Sequence, residues 1–398
     1  MRTLHYRHYQ MAKRIVTGID IGTYQVKVVV AEQGKNGARR APKILGTGTA
    51  ESRGLRHGYI VSGSEITKSI RTAVAQVEKS SGVAVRRAYI SVGGVGLDEV
   101  RARGEAVVAR GDSEVTDLDI EKALKNAEGK AAAKLVNRRI IHTIPLGYAL
   151  DGEYVFGRLE GLHGTKIEVE VLFITCFEQH LNDLITAVEE AGVAVDDVMA
   201  SPMAGSLVTL SKADKVAGCV LTNIGSETAS IVVFEHGLPI SLKVFALGSR
   251  DVTIDIALGL KVSPEEAERI KLGAITGANY TRKKLDEIIL ARLSDIFELI
   301  EAHLKKIGKS GLLPAGIIIT GGGAGVATIE DLAKAVLRLP SKVAQTSSGD
   351  NARVRDSSWA VAYGLCMWGL NADEDTDGIR MAKQTGGTIA SWIKQFLP

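Results

Sequence analysis

Apolar positions along the chain recur with two spacings, and the switches between them mark its elements. From Arg14 to Glu32 two apolar runs flank the polar turn Gly22-Thr23, which predicts a hairpin of buried strands, with a third strand over Lys43–Ala50. Ser52 to Gly58 reads as a glycine-bounded loop. From Ser64 the spacing becomes helical, with Ile66, Ile70, Val74 and Val77 on one face and a stop at Ser81-Gly82. A short strand over Ala88–Val92 closes this first unit.

The stretch from about Gly93 to Ile174 reads as an insertion. It carries predicted strands at Glu99–Val108, Arg138–Pro145 and Lys166–Thr175, and a helix over Asp117–Lys134 with Thr116 as its N-cap. Its two histidines, His142 and His163, have neither cysteines nor paired carboxylates nearby, so neither is read as a ligand. Helices follow over Gln179–Ala191 and Ser201–Ser211, with a strand over Val193–Met199 between them. Strands at Gly218–Phe234 (a hairpin) and Ile240–Leu247 come next. The capping box Ser263-Pro264-Glu265-Glu266 opens a helix that stops at Gly273, and a long amphipathic helix covers Leu285–Leu304. A buried strand, Gly316–Thr320, runs into Gly321-Gly322-Gly323-Ala324-Gly325. The last predicted helices of the body are Ile329–Leu337 and Ser357–Gly369.

Beyond Gly369 periodicity lapses. Asn371–Gly387 is acidic, then polar, and reads as a linker. Ile389, Trp392, Ile393, Phe396 and Leu397 then return at a spacing that puts all five on one helical face, with Lys394 opposite, the composition of an interfacial helix. Met1–Gln10 lacks the apolar core of a signal peptide, and Met11 offers a second start.

One segment is used twice. Placing Asp20 on Asn223 aligns Ile21 with Ile224, Gly22 with Gly225, Val28-Val29-Val30 with Ile231-Val232-Val233, and Gly34 with Gly237. Two related halves follow from this repeat. Chemically, a turn built of glycine and a small hydroxyl residue lets backbone N–H groups approach a phosphate. Gly22-Thr23 and Gly225-Ser226 both qualify. Asp20, just ahead of the first turn, is suited to hold a hydrated Mg²⁺. The glycine run Gly321 to Gly323 lets backbone lie flat against a planar group such as adenine.

Composition narrows the reading only a little. The 398 residues, 45% hydrophobic and 24% charged, fit a folded chain of two or three domains. A net charge of +3 with scattered Lys and Arg gives no sign of a nucleic-acid partner. Cys176, Cys219 and Cys366 sit apart in apolar runs and read as buried reduced thiols. No run of eighteen apolar residues is present to span a bilayer.

These motifs together resemble the actin-like ATPase superfamily and, within it, the FtsA family of bacterial cell-division proteins. The resemblance is carried by a first phosphate loop (Gly18 to Lys27), a second (Asn223 to Thr228) and an adenosine motif (Gly316 to Gly325). Also similar are Ala267-Glu268-Arg269-Ile270-Lys271, Ser52-Arg53-Gly54 with Gly58, Leu172 to Cys176, and the tail Ser391-Trp392-Ile393-Lys394. It implies an α/β fold, the duplicated actin/Hsp70-like (ribonuclease H-like) two-domain ATPase fold, with an inserted α+β 1C (SHS2-type) subdomain and a C-terminal amphipathic helix. The implied divisions are a flexible N-terminus (1–12), domain 1A (13–92 and 176–210) and subdomain 1C (93–175). Domain 2A (211–250 and 312–370), subdomain 2B (251–311), a linker (371–387) and a membrane-targeting helix (388–398) complete the chain.

The resemblance further implies ATP with Mg²⁺ between the halves. ATP would be held by Asp20, Gly22, Thr23, Lys27, Asn223, Gly225, Ser226, Glu227, Thr228, Gly321, Gly322 and Gly323, with Glu268 and Lys271 toward ribose and base and Asp20 toward the metal. Implied partners are FtsZ, copies of the chain in protofilaments, membrane lipid and later division proteins, at the cytoplasmic face of the cell membrane. A PilM-like pilus-assembly ATPase and an actin-fold small-molecule kinase are the alternatives.

Three positions depart from the family pattern. Asn223 replaces the usual aspartate, Glu227 the usual glycine, which places a carboxylate near the phosphates, and Ser201 stands where hydrolysing relatives carry a water-positioning glutamate. Loss of such a carboxylate costs about two to four decades in rate, roughly 3–5 kcal/mol. The expectation is therefore a nucleotide-binding switch with slow or absent turnover and no catalytic residue.

Overall fold

The computed structural model describes residues 14–34, 42–109, 111–274, 279–326, 328–346 and 356–372. The N-terminal segment 1–12, the linker beyond residue 372 and the predicted helix 388–398 lie outside the described residues, and with them Ile389, Trp392, Ile393, Phe396 and Leu397.

Two five-stranded sheets repeat one topology. The first comprises β1 (Ile15–Ile21), β2 (Gln25–Glu32), β3 (Lys43–Glu51), β6 (Arg87–Val92) and β11 (Ala194–Ala200), in the order β11-β6-β1-β2-β3. The second comprises β12 (Cys219–Ile224), β13 (Ala229–Glu235), β14 (Leu238–Phe245), β15 (Gly316–Thr320) and β16 (Ser341–Val343), in the order β14-β13-β12-β15-β16. In each, an antiparallel hairpin opens the sheet and a parallel strand joins its first member. Asp20 pairs with Lys27 across one hairpin and Asn223 with Ser230 across the other, so the repeat seen in the sequence is a repeat in register.

Both central strands are buried on two faces, hence their continuous Val/Ile runs rather than alternation. The first core is closed by α1 (Gly63–Ser81), α3 (Glu178–Glu190), α4 (Ser201–Thr209) and α10 (Ala360–Ala372). α1 buries the predicted Ile66, Ile70, Val74 and Val77 and ends on Gly82. The last helix, α10, packs on β1 and on α4, and glycine is required at both crossings. A Cβ on Gly18 would lie 2.3 Å from Ala362 O, and one on Gly364 would lie 1.9 Å from Ala204 O. Helix α10 continues through Asn371 to Ala372, where the sequence suggested a linker.

The second core is covered by α6 (Ser249–Leu260), α7 (Pro264–Lys271), α8 (Arg282–Lys306) and α9 (Ile329–Leu337), with α8 supplying the largest share of buried side chains, while α5 (Lys212–Ala217) lies against β13 with Lys215 over the Phe234 ring. Two of these escaped the sequence reading. α5 starts at Ser211, whose hydroxyl accepts Asp214 N–H at 3.0 Å. α6 carries Val252 and Ile256 inward at helical spacing, but exposed Ile254 and Leu258 blur that period. α7 begins as its signal indicates, with Ser263 Oγ accepting Glu266 N–H, whereas α8 starts three residues before the expected Leu285, where Thr281 Oγ1 accepts Lys284 N–H.

The insertion forms its own sheet, β7 (Asp98–Val107), β8 (Arg138–Leu150), β9 (Glu153–Val155) and β10 (Lys166–Phe177), in the order β7-β10-β8-β9. Helix α2 (Asp117–Ala131) covers one face. Strand β8 runs past Pro145, where prediction stopped, because a register shift opposite Glu170 and Val171 absorbs the missing donor. Ser52 to Gly58 is also more ordered than a loop: β4 (Leu55–Arg56) and β5 (Tyr59–Ile60) form a tight hairpin around His57 and Gly58. Both turn residues have positive φ, +47° and +89°, the signature of a two-residue hairpin turn.

The insertion also touches the second sheet. Glu99 accepts Leu242 N–H at 2.6 Å and the Ser241 hydroxyl at 3.0 Å, and Lys243 pairs with Asp98 at 3.1 Å. His303, from α8, meets the same Ser241 hydroxyl at 2.8 Å.

Candidate functional site

The equivalent ends of the two sheets face one cavity of about 850 Å³, a size suited to a small organic ligand. Gly22, Thr23, Lys27 and Asp20 line it from one half; Asn223, Gly225, Ser226, Thr228, Gly321 and Gly322 line it from the other, with Glu268 and Lys271 on α7. Most of the residues singled out in the sequence thus meet at one place.

The two hairpin turns are closed in the same way. Gly22 N–H donates to Gln25 O at 3.2 Å and Gly225 N–H to Thr228 O at 2.8 Å. A Cβ would stand 3.1 Å from Gln25 O at the first glycine and 3.0 Å from Thr228 O at the second. A side chain at either glycine would therefore press on its own turn, so glycine keeps both turns tight where they line the cavity.

Asp20 sits at the end of β1. It accepts the Ser91 hydroxyl at 2.8 Å, beside Lys27 on the paired strand. Burial holds its carboxyl above the usual range, while Lys27 and the Ser91 hydrogen bond pull the other way. Lys27 is pushed below its ordinary value by burial, opposed by Asp20 and Asp356. Its ammonium donates to Ser358 O at 2.7 Å and lies 5.6 Å from the centre of the Trp359 ring. A divalent cation would reverse the pressure on Asp20, since its charge outweighs the desolvation of the carboxylate. Asp20 with the hydroxyls of Thr23 and Ser226 makes a donor set of oxygen atoms, the type that Mg²⁺ prefers. Ser52 Oγ, buried on the same wall, has no hydrogen-bond partner among the described residues.

On the opposite side α7 and α6 form a connected cluster. Lys271 pairs with Glu268 at 2.7 Å and donates to Thr253 Oγ1 at 2.8 Å and to Ser249 O at 3.2 Å. Thr253 in turn donates to Glu268 at 2.5 Å. The facing wall is the Gly321-Gly322 backbone, with Gly321 at φ +91°. A flat slot between that backbone and the Glu268–Leu272 face of α7 suits a planar base.

Two expected residues do not line the cavity. Gly323 is buried, and a Cβ there would meet Ile224 Cγ2 at 2.5 Å, so it serves packing. Glu227 was expected to put a carboxylate near the phosphates. Instead its side chain turns away, accepting His57 N–H at 2.7 Å and the Arg250 guanidinium at 2.9 Å. Its bulk and charge are taken up by partners, so the phosphate end does not lose its welcome to anions.

Ser201 starts α4 on the cavity wall and donates its hydroxyl to Val92 O at 3.0 Å. The wall carboxylates are Asp20, Glu51, Glu265 and Glu268. Glu51 pairs with Arg53 at 3.0 Å, and the latter two lie on α7 and at its start. The backbone before Ser201 is fixed by His142, whose Nε2 accepts Ala200 N–H at 3.1 Å. Burial lowers the pKa of that imidazole to about 3, so it is a neutral core histidine.

Several wall residues were missed. Ser91 was findable, because Ile90-Ser91-Val92-Gly93-Gly94 is a strand end followed by glycines, like Ile319-Thr320-Gly321-Gly322. Ser249 and Arg250 were hidden with α6. There Ser249 N–H and Arg250 N–H donate to Gly225 O and Ser226 O at 2.9 and 2.8 Å, seating the helix on the second turn. His180, which lines the same wall with its Nδ1 unpartnered among the described residues, carried no sequence signal.

Comparison with known proteins gives a consistent picture. Residues 220–364 match the model of the family described as cell division protein FtsA, and residues 100–175 match that of the SHS2 domain inserted in FtsA. The chain is 31% identical over 375 residues to the cell division protein FtsA of Bacillus subtilis (strain 168), covering 89% of this chain and 83% of that one. It is 28% identical to the FtsA of Pseudomonas aeruginosa, covering 93% of this chain and 92% of the other. Among solved structures, a PilM-PilN type IV pilus biogenesis complex superposes with a TM-score of 0.66 at 16% identity, over 89% of this chain and 98% of that chain. The likeness in structure is one of fold, and the fold is the actin-like one that the sequence implies.

Proposed function

The chain belongs to the FtsA family of cell-division proteins, and from that membership we propose a membrane-tethered switch that holds ATP with Mg²⁺ and recruits FtsZ filaments. The observation that carries the nucleotide part is the convergence of two matched glycine turns and a glycine run on one cavity. Gly22, Thr23, Gly225, Ser226 and Thr228 would cradle the phosphates and Asp20 the cation. Glu268, Lys271, Gly321 and Gly322 would receive the nucleoside. When bound, the cation screens phosphate charge; the chain's own residues position and enclose.

Slow or absent hydrolysis is supported by Ser201. Its hydroxyl is committed to Val92 O, and no carboxylate stands at that position to orient a water. Asn223 removes a second charge from the metal side. The rest of the role draws on the family and on the sequence. The inserted subdomain serves contacts between copies in a protofilament and with later division proteins in the membrane. The amphipathic face of Ile389, Trp392, Ile393, Phe396 and Leu397 anchors the chain at the cytoplasmic surface.

Co-sedimentation of FtsZ polymers with liposomes tests the tether. The full chain with ATP brings FtsZ down with the lipid, and the chain lacking residues 387–398 leaves FtsZ in the supernatant while keeping its fold. Recruitment by the truncated chain equal to that by the full one would rule the anchor out.

A further inference from the structure

The hairpin formed by β4 and β5 crosses from one half of the molecule to the other. Its base belongs to the first half. Val95 N–H donates to His57 O at 3.1 Å, and a Cβ on Gly58 would stand 2.3 Å from Gly94 Cα, so the turn is seated on Gly94. Tyr59 packs edge-on against His180, ring centres 5.1 Å apart, and against Phe177 at 6.5 Å.

Its tip belongs to the second half. His57 N–H donates to Glu227 Oε2 at 2.7 Å, and His57 Nδ1 lies 3.2 Å from Glu227 O. A carbonyl oxygen only accepts, so Nδ1 carries the proton in that contact. Glu227 is buried and its second oxygen accepts Arg250, whose backbone N–H is bound to Ser226 O in the same turn. Glu227 and Arg250 therefore form one rigid piece with the second phosphate turn. Among the described residues, the two His57 contacts are the hydrogen bonds that join the hairpin to the second half at this point.

We propose that the His57–Gly58 turn and Glu227 form a latch across the cavity, and that the latch sets how long a nucleotide remains bound. This rests on the nucleotide reading of the cavity. Widening the cavity between the hairpin and the second phosphate turn pulls His57 from Glu227. The bond is a charge-assisted one to a desolvated carboxylate, among the stronger hydrogen bonds available. The glutamate that looked like an obstacle to phosphate becomes the strike plate of a closure. His57 holds the strained positive φ of +47° that presents its N–H to that carboxylate. Tyr59 connects the latch to the wall that carries His180 and Phe177, so a change there reaches the phosphate turn through two residues.

Two measurements on the full chain test this, with thermal unfolding as the check on folding. Release of a fluorescent N-methylanthraniloyl ATP, chased with unlabelled ATP, is expected to be about tenfold faster in Glu227→Ala, the fold-change of losing one charge-assisted hydrogen bond. Glu227→Gln, which keeps an acceptor for His57 but loses the charge, falls between. Arg250→Gln speeds release in the wild-type background and adds nothing in Glu227→Ala, since it acts through that carboxylate. Hydrogen–deuterium exchange of the segment 55–60, measured without nucleotide, is expected to quicken in Glu227→Ala. Equal release rates in wild type and Glu227→Ala, or unchanged exchange of 55–60, would overturn the latch. Failure of wild type to bind the labelled ATP would overturn the nucleotide reading and the latch's role with it, while the exchange data would still report the contact itself.

Discussion

Gly321 and Gly322 are neighbours with different duties, and substituting each with alanine separates the fold from the site. Gly321 has φ +91° and ψ 172°, a region that costs a residue with a side chain about 1–3 kcal/mol. Its new Cβ would also stand 2.3 Å from Asn223 Oδ1 and 2.5 Å from Ile224 O. The asparagine can rotate, but the carbonyl belongs to the end of β12, so the glycine run or the phosphate hairpin must shift, at a further cost of about 1–3 kcal/mol. The expected loss for Gly321→Ala is about 2–6 kcal/mol, which at roughly 2–4 °C per kcal/mol lowers the unfolding temperature by about 4–24 °C. Gly322 has nothing within 4 Å of its Cβ position and lines the cavity. Gly322→Ala should leave the unfolding temperature unchanged or slightly raised, since alanine restricts the unfolded chain. Its methyl group on the slot wall should weaken binding of labelled ATP about tenfold, or about 1.4 kcal/mol. Differential scanning fluorimetry and a fluorescence titration read the two effects. Equal stability of the two variants would refute the backbone argument; unchanged affinity in Gly322→Ala would refute the placement of the base.

Acid should destabilise the chain through two buried imidazoles. Burial sets His142 at about 3 and His303 at about 4, the latter also under the charges of Lys243, Lys306 and Arg101. The unfolded chain binds protons at both below about pH 6.5, so this contribution is complete above 6.5 and is lost as pH falls, by about 2 kcal/mol per histidine between pH 7 and 5. Asp20 and Glu99, raised by burial, act in the opposite sense, which makes the net fall in urea stability smaller than the sum. His303→Phe should therefore flatten the stability profile between pH 7 and 5 while lowering stability at pH 7, because the buried Ser241 hydroxyl loses a partner. A profile with the wild-type slope would contradict the assignment of His303.

Much of this was legible in the chain. The register of the two hairpins followed from aligning Asp20 with Asn223, because a repeated strand–turn–strand unit has one way to bury its apolar run. The helix capped at Ser263 began where expected, and the long amphipathic helix over Leu285–Leu304 appeared within a few residues of its expected bounds. What was not legible depends on contacts between distant segments. α6 was lost because two exposed apolar residues disguised its inward stripe. The hairpin around His57 looked like a loop, since its turn is held in shape by Gly94, Val95 and Glu227, all distant in sequence. The role of Glu227 was misjudged for the same reason: sequence places it in a phosphate turn but is silent on where His57 and Arg250 stand. Ser201 lay where the pattern placed it, and the structure adds that its hydroxyl is already spent on Val92 O.

The central claim is that ATP is held rather than consumed, and the fate of bound ATP tests it most directly. The full chain, loaded with γ-labelled ATP and Mg²⁺ and freed of excess nucleotide, is quenched at intervals and its phosphate counted. The account predicts that one ATP per chain survives, with turnover about two to four decades below a hydrolysing actin homologue. Release of labelled phosphate at the rate of such a homologue would contradict it.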